Sequence, residues 1–456
     1  EENSGSFGKT EKMNRKDIKI GVISLGCDKN RVDTEQMLGV LSDAGYTITS
    51  DEDSADVVIV NTCAFILPAR EESINTILET AKRKEDGKCR KLVVTGCLAE
   101  KYMQELRTGI PEADCYLGIR EYDSIAETID KLFENEAIID KRDGDCEIIC
   151  GNRILTTPRH YAYLKIADGC DNFCTYCTIP SIRGKYRSYP VEKLAEEAEK
   201  LAKGGSSEII LVAQDVTNYG ADYKDGTNLV TLLKRIAAVR EIETIRLLYC
   251  YPERITEELI NYIAPEPKIA RYMDIPMQHV SSAVLKKMGR KSDKASLEKL
   301  ISDIRGKIPD ISLRTTFIVG FPTETEEDVI ELRDFIEKER FTNAGFFAYS
   351  LEEDTPSARL PGRVSEEETA RRLELVEKAQ YDVCLKNNRE KVGRIYRVTI
   401  DGDDMGEYVG SSFESAPDVD FVVRFCSERP LEIGDKADVL ITGFEDYDLT
   451  GKAVFE

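Results

Sequence analysis

The chain has 456 residues, 41% hydrophobic and 32% charged, with 63 basic against 85 acidic residues and a net charge of −22. That length predicts two to four domains, and the composition excludes a disordered or fibrous chain. No apolar run approaches the roughly 20 residues of a membrane span, so a globular cytoplasmic protein is expected, and its acidic balance favours a basic partner over a polyanion.

Residues 1–16 read as a flexible tail. From 17 to 145, short apolar strands alternate with helices. "IKIGVISLGC" precedes "DTEQMLGVLSDAG", where Met37, Leu38, Val40 and Leu41 form an apolar stripe; "ADVVIVNTC" precedes "EESINTILETAKRK"; "RKLVVTGC" precedes "LAEKYMQEL". Continuous apolar strands between helices predict a parallel α/β sheet. The polar segment 146–158 reads as a linker. From 159 to 384 the alternation resumes, with strands in "YAYLKIADG", "SEIILVAQD", "TIRLLYCYP", "YMDIPMQH", "LRTTFIVGFP" and "NAGFFAYS". Six such βα units predict a partial barrel, open on one side. After the helical stretch "SEEETARRLELVEKAQYDVCLKNNREK", residues 385–456 change to strands and turns, which predicts about five antiparallel strands in a small β-barrel. From Asn387 to Glu456, 8 basic residues stand against 16 acidic ones, a charge of −8.

Thirteen cysteines in a chain with no export signal point to metal or catalysis rather than to disulfides. Cys170, Cys174 and Cys177 form C-x3-C-x2-C in "DGCDNFCTYC", directly after a predicted strand. Three thiols this close are expected to share a metal or a cluster. Structural zinc is one reading. It needs four closed ligands, and with only two histidines, His160 and His279, the set would have to be completed by Cys146 or Cys150. A cubane iron–sulfur cluster is the other reading; three cysteines leave one of its irons open. In the first region Cys27, Cys63 and Cys97 each follow an apolar strand immediately. Ligands in open α/β sheets collect at the carboxyl ends of strands, so if the three strands are neighbours a second three-cysteine site is expected. Cys89, Cys115, Cys146, Cys150, Cys250, Cys384 and Cys426 show no such regularity and read as structural.

C-x3-C-x2-C, with Tyr176 before the last cysteine, resembles the signature of the radical S-adenosylmethionine superfamily. The three-region order, "DGCDNFCTYCTIPSIRG" and the terminal barrel resemble its methylthiotransferases, from Ile18 to the C-terminus. The resemblance implies a radical SAM domain, a C-terminal TRAM barrel and two 4Fe-4S clusters, one on Cys170, Cys174 and Cys177 and an auxiliary one on Cys27, Cys63 and Cys97. It implies S-adenosylmethionine as both methyl donor and radical source, a sulfide or persulfide co-substrate and an external electron donor. Tyr176, Gln214, Gln278, Arg314 and Gly320 would contact the cofactor, with Arg314 and Gln278 at its polar end and the "IVGFP" turn near its adenine.

"SLGCDKNRVDTE", "IPSIRGKYRS", "DIPMQHVSS" and "RTTFIVGFPTETEED" resemble the RimO-type branch, which modifies the β-carbon of an aspartate in ribosomal small-subunit protein twelve. The alternative is a transfer-RNA adenosine methylthiotransferase. A terminal module of charge −8 suits a basic protein better than phosphate. Asp28, where that branch usually has proline, and Tyr189, where it commonly has arginine, depart from the pattern and bear on substrate contacts. A monomer is expected.

Overall fold

The structure, a computed structural model, describes residues 14–87, 89–134 and 152–455. The chain divides into two compact units, Glu1–Thr156 and Thr157–Glu456. The break falls within the segment expected as a linker; residues 146–151 of that segment, including Cys146 and Cys150, lie outside the described residues.

The first unit is built on a five-stranded sheet in the order Thr47–Ile48, Lys19–Ser24, Val57–Thr62, Lys91–Gly96, Cys115–Tyr116. Every pairing is parallel. Val57–Thr62 is buried along its whole length, which is why its sequence is an unbroken apolar run instead of an alternating one. Helices Asp28–Asp43, Leu67–Glu85, Cys97–Gly109 and Ile125–Glu134 accompany the sheet. Their apolar sides close a core of Ile20, Leu41, Ile59, Val93, Ile125 and Ile129. Cys115 belongs to this core, and burial pushes its thiol up to about 12; it is a packing residue, as expected. Of the expected tail 1–16, residues 1–13 lie outside the described residues. Arg15 already forms part of the short turn Arg15–Asp17, where it donates to Asp130 Oδ1 at 3.0 Å and to Ala44 O at 3.0 Å.

The second unit holds a six-stranded parallel sheet in the order Asn343–Ala348, Ser312–Val319, Ile269–Asp274, Thr244–Leu247, Glu208–Val212, Tyr161–Lys165. These are the six predicted strands, and the sheet stays open at its two edge strands. The 26-residue helix Glu366–Lys391, capped by the Ser365 side chain on Glu368 N, runs straight through the boundary expected at 384/385. The next strand begins at Ile395. The helix keeps the extent read from the sequence, with Val376, Ala379 and Val383 among its buried residues.

Strands Ile395–Asp404, Glu407–Ser411, Val423–Cys426, Lys436–Glu445 and Asp448–Val454 form a closed barrel. It is not wholly antiparallel, because Val423–Cys426 runs parallel to Asp448–Val454. Five strands cannot alternate direction around a ring, so one neighbouring pair must point the same way. The segment 412–420 of this barrel packs against the N-terminal ends of the six-stranded sheet. Arg246 donates to Phe413 O at 3.0 Å and Ser412 O at 3.3 Å. Tyr161 Oη donates to Asp418 at 2.6 Å and Tyr272 Oη to Asp420 at 2.7 Å. Ser312 Oγ and Asn343 Nδ2 both donate to Glu414 O. Among the described residues no helix is long and apolar enough to cross a membrane.

Candidate functional site

In the first unit, Lys19–Ser24, Val57–Thr62 and Lys91–Gly96 lie side by side, with Ser24 opposite Asn61 and Thr62 opposite Gly96. Cys27, Cys63 and Cys97 therefore leave one sheet edge. Cys27 is the residue before helix Asp28–Asp43, and Cys97 is the first residue of its own helix. The partial positive charge of a helix N-terminus favours a thiolate there. Two glycines let these turns meet. Gly26, at φ +87°, would place a Cβ 2.7 Å from Cys63 Cβ, and Gly96, at φ +96°, would place one 2.4 Å from Thr62 O. Ser73 holds the middle turn: Cys63 N donates to Ser73 Oγ at 3.0 Å, and Ser73 Oγ donates to Cys63 O at 3.1 Å. Cys63 and Cys97 are buried while Cys27 is exposed, so the edge is open on the side of the first cysteine.

In the second unit, Cys170, Cys174 and Cys177 lie in the loop after Ala167–Asp168. Gly169, at φ +78°, lets that loop pass so near Lys185 O that a Cβ would be 2.1 Å away. Asp215, just past the end of Glu208–Val212, pins the loop. It is 1% exposed, and its Oδ2 accepts from Asn172 Nδ2 at 2.9 Å and from Arg254 at 2.7 Å. Arg254 also donates to Asn172 Oδ1. On the other side Thr175 N donates to Met288 O at 3.0 Å, and Thr175 O accepts from Ser357 N at 2.9 Å. The loop is thus fixed from four separate segments, through Asp215, Arg254, Met288 and Ser357, so its three thiols are held in place by other parts of the barrel. Burial pushes Cys170 up to about 11 and Cys177 up to about 12. Ile179 N donates to Cys177 Sγ at 3.5 Å, which favours the thiolate.

Among the described residues no three His, Cys, Asp or Glu side chains converge on one ion position. A cubane spreads its sulfur ligands over separate irons, which suits thiols set apart along a loop.

The other expected contacts are distributed differently. Gln214 lies beside Asp215 with its buried Oε1 unpartnered, an orphaned acceptor suited to the ammonium of an amino-acid ligand. Gln278, at φ +70°, is stitched to the strand Ser312–Val319: its N donates to Thr316 O at 2.8 Å and its O accepts from Ile318 N at 2.7 Å. Tyr176 packs on Val284, Met288 and Phe321, close to Cys174. Gly320, at φ +77°, gives its amide to Glu324 at 2.9 Å, and a Cβ there would lie 2.4 Å from Thr369 Oγ1. His279 is fully buried beside Glu324, with Nε2 3.4 Å from its carboxylate. The Arg314 guanidinium, expected at the cofactor's polar end, pairs with Asp274 at 3.0 Å and with Asp420 of the terminal barrel at 3.1 Å. The reason is its level in the sheet: it is the third residue of its strand, near the end where segment 412–420 docks. Tyr189 is buried and its carbonyl accepts from Tyr219 Oη at 2.6 Å, so it is a packing residue. The clamp Asn172–Asp215–Arg254 was missed from sequence. Its one available signal was a polar Asn between two cysteines, facing the charged ends of two other predicted strands.

Residues 164–336 match the radical SAM superfamily and residues 392–454 the TRAM domain, while residues 19–118 match a family described as uncharacterized protein family UPF0004. A cysteine-bearing loop at the carboxyl end of an open parallel barrel, with these matches, defines a radical SAM enzyme. The fold is also that of the radical S-adenosylmethionine methyltransferase TsrM from Kitasatospora setae (TM-score 0.56, 15% identity, covering 86% of this chain and 82% of that one).

More specifically, the chain belongs to the RimO family of ribosomal protein uS12 methylthiotransferases. It is 47% identical to the RimO of Clostridium tetani over 95% of this chain and 98% of that protein. It is 46% identical to the RimO of Lachnoclostridium phytofermentans over 96% of this chain and 100% of that protein.

Proposed function

We propose that this chain adds a methylthio group to the β-carbon of an aspartate of ribosomal protein uS12, in the cytoplasm, using two three-cysteine cluster sites. The observation that carries it is the gathering of Cys27, Cys63 and Cys97 at one parallel-sheet edge in a chain that also holds Cys170, Cys174 and Cys177 on one clamped loop. When bound, two 4Fe-4S clusters and S-adenosylmethionine supply the radical, the methyl group and the sulfur carrier, with an external donor providing electrons. The chain's own groups hold and orient these. Asp215 and Arg254 fix the loop, and Gln214 Oε1 would accept from the cofactor's ammonium. The terminal barrel, at −8, favours a basic protein over transfer RNA.

The test is mass analysis after anaerobic incubation of reconstituted enzyme with dithionite, sulfide, S-adenosylmethionine and either uS12 or transfer RNA. The expected result is one methylthio group on the uS12 aspartate and none on RNA; the opposite result overturns the substrate. A second experiment reads the auxiliary site. Gly26→Ala forces an alanine into a left-handed backbone, at about 1–2 kcal/mol, and into Cys63. The expected outcome is loss of about half of the bound iron, since one cubane of two would be lost, with the spectrum of the other cluster retained.

A further inference from the structure

Arg290 is a buried cation set against the cluster loop, paired with the Glu253 carboxylate at 3.7 Å. Its side chain is 3% exposed, and its guanidinium carbon lies 3.9 Å from the centroid of the Tyr251 ring. The hydroxyl of Tyr251 is in turn 3.9 Å from Cys174 Sγ. One nitrogen of Arg290 donates to Pro276 O at 2.9 Å, while Nε has no hydrogen-bond partner. The nearest carboxylate oxygen, Glu253 Oε1, is 3.7 Å from Nε and already accepts from Lys291 N at 3.2 Å and Ser292 N at 3.0 Å. Arg254, on the same tyrosine at 5.1 Å, is by contrast neutralised by Asp215 at 2.7 Å.

The turn that carries Arg290 also grips the loop. Thr175 donates to Met288 O through its N at 3.0 Å and to Lys287 O through its hydroxyl at 2.7 Å. Gly289, at φ +76°, packs against the loop backbone, where a Cβ would meet Phe173 O at 3.4 Å. The charge is therefore fixed relative to Cys174. A shift of the loop would drag Arg290 with it.

We infer that Arg290 is a positioning residue that sets the reduction potential of the cluster on Cys170, Cys174 and Cys177, an inference resting on the cluster assignment above. The physical basis is the sign of the charge change. One electron passes from dithionite, which is oxidised towards sulfite, to the cluster, which goes from its 2+ to its 1+ state with no bond made in the protein. The reduced state carries one more negative charge, and a fixed cation in a low-dielectric surrounding stabilises it selectively. The burial of Arg290, 3% exposed against the half-buried Tyr251, limits screening of that attraction by water.

The test is a potentiometric titration of reconstituted full-length enzyme, reading the electron paramagnetic resonance signal that changes on adding S-adenosylmethionine. Arg290→Gln is expected to leave about tenfold less reduced cluster at a fixed potential, a downshift of about 59 mV for one electron. Arg290→Lys, which keeps the charge, should titrate with the unsubstituted enzyme. An unshifted Arg290→Gln overturns the inference, as does an equal shift in Arg290→Lys, which would make packing the cause. If Arg290→Gln loads no iron, Arg290→Lys decides: an unchanged potential supports the role and a tenfold shift overturns it. A missing SAM-responsive signal in the unsubstituted enzyme would instead refute the cluster assignment.

Discussion

Arg314→Ala is expected to destabilise the Thr157–Glu456 unit by about 3–5 kcal/mol, because it leaves buried carboxylates without their shared cation. Asp274 and Asp420 side chains are 2% and 3% exposed, and Arg314 bridges them from 3.0 and 3.1 Å. Asp274 is itself a structural hub. Its Oδ2 accepts from Tyr249 N at 2.9 Å, and Tyr249 is held at φ +60°, a left-handed conformation that a non-glycine residue adopts only under constraint. The loss should therefore spread from the barrel interface to the turn carrying Tyr251. Urea unfolding followed by circular dichroism measures it. Arg397→Ala serves as the control, since its pair with Asp438 at 3.2 Å is largely exposed and should cost no more than about 1 kcal/mol. A small effect for Arg314→Ala would mean that water enters the barrel end and solvates the carboxylates. Arg314→Ala with Asp420→Asn should recover part of the loss, because one of the two stranded charges is gone.

Asp215→Ala should have the largest effect on activity without a comparable effect on folding. The carboxylate receives Asn172 and Arg254 on one oxygen, and Thr217 Oγ1 at 2.6 Å and Asn218 N at 3.1 Å on the other. It links the cysteine loop to two neighbouring strand ends. Without it the loop loses its lateral anchor, and misplacement of a reacting centre by about 1 Å costs on the order of 10²-fold in rate. The expected result is iron at the second site reduced by at least half, and methylthio product formed at least 10²-fold more slowly, both measured on the same preparation. Normal iron content with normal turnover would show that Thr175 and its partners on the opposite side suffice to hold the loop. Asp215→Asn keeps the acceptor for Asn172 but not the charge for Arg254, so its defect should be intermediate.

The sequence alone determined the main alternation of strands and helices and the two sets of three cysteines at strand ends, but not the short strands Thr47–Ile48 and Cys115–Tyr116 that complete the first sheet. Those features are local: an unbroken apolar run makes a buried parallel strand, and a cysteine immediately after it must stand at the strand's carboxyl end. Cys27, Cys63 and Cys97 were legible for that reason, as were Cys170, Cys174 and Cys177. The helix Glu366–Lys391 was legible too, and it crosses the position 384/385 at which a domain boundary was expected. The parallel pair in the terminal barrel follows from ring closure, which no strand encodes by itself.

Only the tertiary structure decided what the isolated charged residues do. Arg314, third in its strand, fits from sequence either a cofactor contact or an internal ion pair. Its partner Asp420 is 106 positions away, delivered by a loop of another module. Asn172, Asp215 and Arg254 are likewise spread across 82 positions and meet only because three loops share one edge of the sheet. A charge finds its partner through the fold, since the energy depends on separation and burial in space, not on distance along the chain.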